Sequence, residues 1–303
     1  MKLCRWTFLG AMVCCIACTV LAEPQAVSEN DFDLPEEFEK EEIVDFTPIA
    51  TPTTAVDEIT PEKTAGLQAK EIPQELDRPI RVGIFIGVKE LYLLWGGEKV
   101  KITAAGKNIK IQSGDKSMEM ESREFQNEDG SCLAVAQEPK ALGRACYPGV
   151  VLFRSNDGKL DAINAVDVED YLRGSVPYEI GKLDAERIEA LKAQAIAART
   201  YAYKHFNSRE AMGFDVYADV KDQVYKGLEG ATALTDTAVR ATAGIVMTYN
   251  GEFITAYYHS TCAGKTETLA TWNRPNLPYL QSKPDLRPDG SAWCSESSYM
   301  KWQ

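Results

Sequence analysis

The stretch YLRGSVPYEIGKLDAERIEALKAQAIAARTYAYKH, residues 171–205, separates two kinds of sequence and decides the fold. Before it, short apolar runs are broken by Gly, Asn and Asp, as in IRVGIFIGV, ELYLLWG, EKVKITAAG, NIKIQSG and KSMEMESREF. Such runs predict strands joined by tight turns. Within the stretch, small and apolar residues recur at helical spacing. They are Ile188, Leu191, Ala195, Ala198 and Ala202. The sequence therefore predicts an α+β fold in which residues 79–170 are mainly β and residues 171–303 contain the helices.

Turn and capping residues predict where several elements begin and end. Asp184 is a suitable N-cap for the alanine-rich helix. A second helix is predicted over residues 231–243, stopped by Gly244. Two pairs of turn residues lie between strand-like runs and predict hairpins. They are Asp157-Gly158 and Asn250-Gly251.

Residues 1–22 have the pattern of a secretory signal peptide. Lys2 and Arg5 precede an apolar run that ends in Ala22, after which cleavage is expected. A lipid anchor on Cys18 is the less favoured alternative, because Cys15 is a poor residue for the start of that motif. The sequence therefore predicts export from the cytoplasm.

The net charge of −12 is concentrated in residues 23–78, which contain 16 acidic and 4 basic residues and are rich in Glu, Thr and Pro. Such a segment cannot bury enough apolar surface to offset its ordering entropy, so we expect a disordered linker. Residues 79–303 are nearly neutral and have no basic stripe. Nucleic acid is therefore excluded as a partner.

Four cysteines remain once the signal peptide is removed. An even number in an exported chain predicts two disulfides, and proximity in sequence favours Cys132–Cys146 and Cys262–Cys294. The alternative is that His259, Cys262 and Cys294 are three ligands of a zinc ion. Export favours the disulfide, which would leave His259 with a structural or sugar-binding role.

Glu179 lies in the tetrapeptide VPYE at the junction between the β-rich half and the alanine-rich helix. Pro177 favours an extended Val176 and interrupts regular structure, so Glu179 is expected to precede the helix. A carboxyl group at such a junction is well placed to meet a ligand. Composition alone, however, favours an exposed loop glutamate.

The tetrapeptide and the following EALKAQAIAARTYA together resemble the motif of the stage II sporulation protein D family. The similarity extends through DVKDQVYKG (residues 219–227) and YYHSTCAGKTE (residues 257–267), and weakly into PYLQSKPD. It covers residues 79–302. The resemblance implies a peptidoglycan lytic transglycosylase that acts on glycan strands, in sporulation representatives on strands stripped of their stem peptides. Glu179 matches the essential glutamate of the family. Because the family extends beyond spore formers, a role in sporulation, division or remodelling stays open.

The implied reaction needs one carboxylic acid, which protonates the glycosidic oxygen. The 6-hydroxyl of the sugar then attacks the anomeric carbon and leaves an anhydro end. Neither a second carboxylate, as in ordinary glycosidases, nor a cofactor is required. Glu179 must stay protonated near neutral pH, which partial burial would achieve.

Other positions that match the family motifs are candidates for substrate binding. Gln194 is expected to orient the acid or the sugar, and Arg199 to contact the sugar or to form an internal ion pair. Asp222, Gln223 and Tyr225 are expected in a loop, where polar and aromatic groups suit sugars and turn structure is an equal alternative.

The rival hypothesis is a non-catalytic glycan-binding module that activates a cell-wall amidase, since related proteins include amidase enhancers. The intact VPYE favours the enzyme. Family members generally continue beyond a C-terminus such as SSYMKWQ, so the chain is expected to be a shortened product.

Overall fold

The structure is a computed structural model that describes residues 76–299. The expected signal peptide and nearly all of the expected linker lie outside the described residues. Within them, strands occur mainly in the first half and helices later, so the fold is mixed α+β, as predicted. No helix in this range is long and apolar enough to cross a membrane.

The first part of the domain is built from successive strands, which begin and end close to the predicted alternating runs. They are β1 (Ile80–Val88), β2 (Glu90–Trp95), β3 (Glu98–Ala105), β4 (Asn108–Ser113), β5 (Lys116–Met120), β6 (Ser122–Phe125), β7 (Leu133–Ala136), β8 (Cys146–Tyr147), β9 (Val150–Asn156) and β10 (Lys159–Val166). Asp157 and Gly158 have φ values of 51° and 74° and connect β9 to β10. The hairpin predicted from this dipeptide is therefore confirmed.

The strands form two main sheets. A six-stranded sheet has the order β5-β4-β3-β2-β7-β8. A five-stranded sheet has the order β11-β1-β10-β9-β6, in which β11 (Val216–Tyr217) runs parallel to β1 and the other pairs are antiparallel. Alternate apolar residues of the six-stranded sheet are buried, as half-buried strands require. They include Leu91, Leu93, Val100, Ile102 and Ile109, in one core with residues of the five-stranded sheet and the helices.

Three helices within the described range contact one another. They are α1 (Val168–Ile180), α2 (Ile188–Lys204) and α3 (Ala233–Ala241). Ala195, Ala198 and Ala202 of α2 are fully buried, and their small side chains allow close approach. The N-cap expected at Asp184 is wrong. A short 3-10 turn, Ala185–Arg187, precedes α2, and the Asp184 carboxylate pairs with Arg187 instead of capping the helix.

Helix α1 corrects the expected position of Glu179. The helix includes Pro177, so Glu179 lies in its last turn and not in a loop ahead of α2. Pro177 cannot donate to the carbonyl group four residues earlier, which disfavours the helix locally. Leu172 and Val176 are nevertheless fully buried on its inner face, and the Asp167 carboxylate caps its start. Tertiary burial and the cap therefore outweigh the local preference of Pro177 against helix. As a result, the β-rich region ends at Val166 rather than at residue 170.

The chain forms a second hairpin after α3. β12 (Thr248–Tyr249) and β13 (Glu252–Phe253) pair across Asn250-Gly251, as the dipeptide predicted. The second predicted helix, expected over residues 231–243, is α3, which ends before Gly244.

Residues 76–78, which the sequence assigned to the linker, contact the domain. Leu76 packs against the core. Arg78 donates to both carboxylate oxygens of the fully buried Asp215, over 2.9 and 3.0 Å, and lies 4.5 Å from the centre of the Phe206 ring. Residues 76–78 therefore belong to the domain.

Candidate active site

Glu179 is half-buried in the last turn of α1. Its Oε1 accepts a hydrogen bond of 2.7 Å from the backbone N–H of Val224. Val224 belongs to residues 219–227, the loop that follows β11. The acid is therefore held between the end of a helix and a loop that lies 45 residues further along the chain.

Gly174 explains how this loop comes so close to α1. A Cβ atom at Gly174 would lie 2.1 Å from the carbonyl oxygen of Gly227 and 2.6 Å from the Tyr225 ring. Only a residue without a side chain leaves room for the loop there. The glycine five residues before Glu179 thus permits the approach that brings Val224 to the carboxyl group.

The surroundings of Glu179 favour its protonated form. Burial raises the pKa of Glu179 above the ordinary glutamate value, while the hydrogen bonds from Val224 and from the Tyr258 hydroxyl lower it, and burial is the larger effect. The result is a raised pKa. A carboxyl group with this balance retains its proton to a higher pH than an exposed glutamate.

Tyr258 and Gln223 form a further set of hydrogen bonds near Glu179. The Gln223 amide nitrogen donates to the Tyr258 hydroxyl over 3.0 Å, and the Tyr171 hydroxyl donates to the Gln223 amide oxygen over 3.0 Å. Gln223 and Tyr171 are fully buried. Sequence reasoning proposed Gln223 but missed Tyr258, although Tyr258 stands in the quoted motif YYHSTCAGKTE, one position before His259.

Asp222 and Tyr225 are held by structural contacts. The Asp222 carboxylate accepts from the Tyr201 hydroxyl at 2.9 Å and from the Tyr217 backbone at 2.8 Å, and it pairs with Arg209 at 2.9 Å. Its side chain is 1% exposed. Tyr225 is buried and donates to Asn164. Neither side chain reaches a surface where a sugar could bind, so the turn-structure alternative describes both.

Arg199 is fully buried and bound internally. Its guanidinium donates to both carboxylate oxygens of Glu169 over 2.8 and 2.6 Å, and to the carbonyl groups of Ile245 and Val239. Arg199 therefore ties α2 to the first turn of α1 and to the end of α3. Of its two expected roles, the structure places it in the internal ion pair, out of reach of a sugar.

Gln194 of α2 is 5% exposed, and its amide nitrogen has no hydrogen-bond partner within the described residues. Buried polar groups in proteins are nearly always satisfied, so such an atom calls for a water molecule or a ligand. Gln194 lies one turn before Ala198, whose carbonyl oxygen is 3.5 Å from the Gln223 amide nitrogen. Gln194 thus remains a candidate for contact with water or substrate.

The structure contains one of the two disulfides that the sequence predicted. Cys132 and Cys146 are joined by a disulfide with a Cα–Cα distance of 5.3 Å. Cys262 and Cys294 are free thiols whose sulfur atoms lie 3.9 Å apart, so the disulfide expected between them is wrong for this structure. The Cys262 thiol instead hydrogen-bonds to Asp285 over 3.1 Å, and burial together with this bond raises its pKa.

The same thiols provide a test of the zinc alternative. Two thiolates on one tetrahedral zinc ion lie about 3.8 Å apart, close to the observed separation. Burial lowers the pKa of His259, which favours the neutral ring that binds metals. Yet no three His, Cys, Asp or Glu side chains in residues 76–299 are grouped as a metal site. The donor set is incomplete, and no step of the chemistry is assigned to a metal.

The fold and the site define an α+β protein with one half-buried carboxyl group at a helix end, surrounded by neutral hydrogen-bonding groups. Residues 156–249, which include Glu179, match the family model described as Stage II sporulation protein, SpoIID. This region is therefore similar to the stage II sporulation protein D family, as the motif resemblance predicted.

Curated relatives match less than half of the chain. An uncharacterized protein of Brachyspira hyodysenteriae is 34% identical over 44% of this chain and 36% of its own length. The amidase enhancer of Bacillus subtilis is 37% identical over 40% of this chain and 16% of its own length. Stage II sporulation protein D of Bacillus subtilis is 29% identical over 49% of this chain and 48% of its own length. The match therefore spans less than half the length of each relative.

Proposed function

We propose that this chain is a peptidoglycan lytic transglycosylase with Glu179 as its general acid. The observation that carries the proposal is the half-buried Glu179 carboxyl group, whose pKa burial raises and whose Oε1 is held by Val224. The family relationship supports a cell-wall-related role. A raised pKa suits a group that must deliver a proton near neutral pH.

The proposed reaction uses this one carboxyl group twice. Glu179 donates its proton to the glycosidic oxygen as the bond from that oxygen to the anomeric carbon breaks. The 6-hydroxyl of the same sugar then bonds to the anomeric carbon, and its proton returns to the Glu179 carboxylate. The products are a strand with a free hydroxyl and a strand with an anhydro end.

The surroundings of Asp222 support a single-carboxylate scheme. Retaining and inverting glycosidases place a second carboxylate beside the sugar. Asp222, two residues before Val224, does not take that place, because its side chain is buried and bound by Tyr201 and Arg209. An intramolecular hydroxyl as nucleophile makes a second carboxylate unnecessary. In the same scheme no cofactor is required, and the unsatisfied amide nitrogen of Gln194 is a candidate donor to a sugar.

A second candidate function is a glycan-binding activator of a cell-wall amidase. It is favoured by the 37% identity to a protein named amidase enhancer. Both functions require binding to peptidoglycan glycan strands, and both require export of the chain, for which residues 1–22 provide the expected signal. They differ in whether Glu179 transfers a proton.

One experiment separates the two functions. The purified chain is incubated with strands stripped of stem peptides, with intact peptidoglycan, and with intact peptidoglycan plus a cell-wall amidase. Mass spectrometry reports anhydro-ended fragments, and release of stem peptides reports the amidase. We expect anhydro ends from stripped strands without the amidase. If the chain binds strands without producing anhydro ends and the amidase acts faster in its presence, the activator function is supported and the enzyme function is not.

A further inference from the structure

Lys226 is an exposed cation on the loop that holds the candidate acid. Its Nζ lies 5.1 Å from the centre of the Tyr178 ring, and Tyr178 directly precedes Glu179 in the last turn of α1. Lys226 also follows Val224, whose backbone N–H donates to Glu179, by two residues. The cation is therefore held at the same helix end as the acid.

The backbone on both sides of Lys226 is anchored. Tyr225 is buried, and its hydroxyl donates to Asn164 over 2.8 Å. Gly227 has a φ of 59°, and a Cβ atom there would lie 2.2 Å from the carbonyl oxygen of Cys146, so only glycine fits. The loop therefore presents Lys226 from a fixed position, between two buried neighbours.

The charge of Lys226 is not neutralised by a neighbour. Burial and the charge of the exposed Glu229 raise the pKa of Tyr178 to about 12, which places Glu229 in the same neighbourhood. Within residues 76–299, however, the ammonium group of Lys226 is paired neither with Glu229 nor with any other carboxylate. Lys221 of the same loop differs, because it pairs with Asp219 at 3.5 Å. An unpaired ammonium group at this helix end suits a negatively charged group of a ligand.

We propose that Lys226 binds a carboxylate of the glycan substrate close to the scissile bond. This inference rests on the proposed function and adds to it the substrate group that the site recognises. Lys226 is thus a specificity-determining residue, and Glu179 remains the group that transfers the proton.

Peptidoglycan has two sources of such a carboxylate. Hydrolytic removal of the stem peptide converts the lactyl amide of N-acetylmuramic acid into a carboxylate, so a stripped strand carries one on each muramic acid. An intact strand has carboxylates only further out, on the stem peptide. Because the lactyl group is attached to the ring whose anomeric carbon reacts, we take its carboxylate as the partner of Lys226.

Removing the charge of Lys226 should therefore weaken the binding of stripped strands. Lys226→Met keeps the length of the side chain, and its exposed position makes misfolding an unimportant risk. An exposed ion pair contributes modestly, so we expect binding about two- to fivefold weaker. Lys226→Arg keeps the charge and should bind as the parent does. The loss in Lys226→Met should shrink as salt concentration rises, because salt screens exposed charges.

The test measures equilibrium binding of fluorescently labelled glycan strands to chains that carry Glu179→Gln, so that no strand is cut during the measurement. Three kinds of strand are compared: stripped strands, the same strands after their lactyl carboxylates have been coupled to methylamine, and uncrosslinked strands with stem peptides. We expect Lys226→Met to weaken binding of the stripped strands alone. Lys221→Met, which removes the paired lysine of the same loop, should weaken none of the three.

Three outcomes would overturn the inference. The first is unchanged binding of stripped strands in Lys226→Met. The second is an equal loss for stripped and methylamide strands, which would mean a contact that does not depend on the carboxylate. The third is an equal loss in Lys221→Met, which would mean a general effect of charge. A loss confined to strands with stem peptides would keep a carboxylate as the partner but assign it to the peptide.

Binding and cleavage are measured separately, so the two proposals can fail separately. If Lys226→Met loses binding to stripped strands selectively but the chain with Glu179 intact never produces anhydro ends, the carboxylate contact stands and the proposed enzyme function fails. If the parent chain cleaves stripped strands and Lys226→Met binds them normally, the enzyme function stands and the role of Lys226 fails.

Discussion

The backbone N–H of Val224 donates to Oε1 of Glu179 over 2.7 Å, and this bond joins the end of α1 to the loop of residues 219–227. The loop approaches because Gly174 has no side chain. A hydrogen bond from a backbone group cannot be removed by changing the side chain of Val224. The position of the acid is therefore set by the packing of the loop on α1.

The raised pKa of Glu179 has a consequence for stability. Its folded-state pKa lies above the unfolded value, so ionisation favours the unfolded chain, and this penalty grows as pH rises through the two values. Glu179→Gln removes the penalty. We expect Tm at pH 7 to rise by about 2 °C or less, and the gain to vanish below the ordinary glutamate pKa. Calorimetry at both pH values checks this.

The exposed Glu186 is the matched control for that measurement. Glu186→Gln should leave Tm nearly unchanged at either pH. A lower Tm for Glu179→Gln at neutral pH would mean that the carboxylate stabilises the fold, contrary to a raised pKa.

Arg199 is expected to act on stability and not on substrate. Arg199→Met removes the charged partner of Glu169 and should lower the free energy of unfolding by about 3 kcal/mol. The exposed Arg144 is the control, and Arg144→Met should change the free energy of unfolding by about 0.5 kcal/mol or less. Urea denaturation measures both. A variant as stable as the parent that no longer binds strands would assign Arg199 to the substrate.

The structure predicts how many cysteine thiols react with a labelling reagent. In a chain that lacks residues 1–22, labelling under denaturing, non-reducing conditions should modify two thiols, mapped to Cys262 and Cys294. Cys132 and Cys146 should react only after reduction. If none of the four reacts, the second disulfide expected from the sequence exists after all. Two thiols with about one equivalent of zinc would favour the His259 site.

Two deletions, one ending before residues 76–78 and one including them, should affect stability differently. Removing residues 23–75 should leave stability and glycan cleavage nearly unchanged. Extending the deletion through Arg78 removes a charged partner of the buried Asp215 and should lower the free energy of unfolding by about 2 kcal/mol. Thermal unfolding compares the two forms. If the two deleted forms are equally stable, residues 76–78 belong to the linker and not to the domain.

Much of the fold could be predicted because its signals are local. Turn dipeptides such as Asp157-Gly158 and Asn250-Gly251 fix positive φ values, and the period of two in β2 to β4 matches a half-buried sheet. Helix α1 was missed because Pro177 is a local breaker. The burial that overrides it comes from residues distant in sequence, which no window around Pro177 contains.

The candidate site was predicted only in part for the same reason. Glu179 and Gln223 were found through motifs, but burial of Asp222 and Tyr225 could not be read from a loop-like sequence. Tyr258 gave no periodic or spacing signal, and the neighbouring His259 and Cys262 suggested a metal or a disulfide instead. Its hydroxyl accepts from Gln223, a residue 35 positions earlier, and only the fold reveals this contact.

The most direct test of the central claim is the rate at which Glu179→Gln cleaves stripped glycan strands, measured by the anhydro ends that mass spectrometry detects. The amide keeps the size of the side chain and can still accept from Val224, but it cannot deliver a proton. We predict a loss of about 10²–10⁴-fold in cleavage relative to the parent chain, with strand binding retained. Cleavage at the parental rate would contradict the assignment of Glu179 as the general acid.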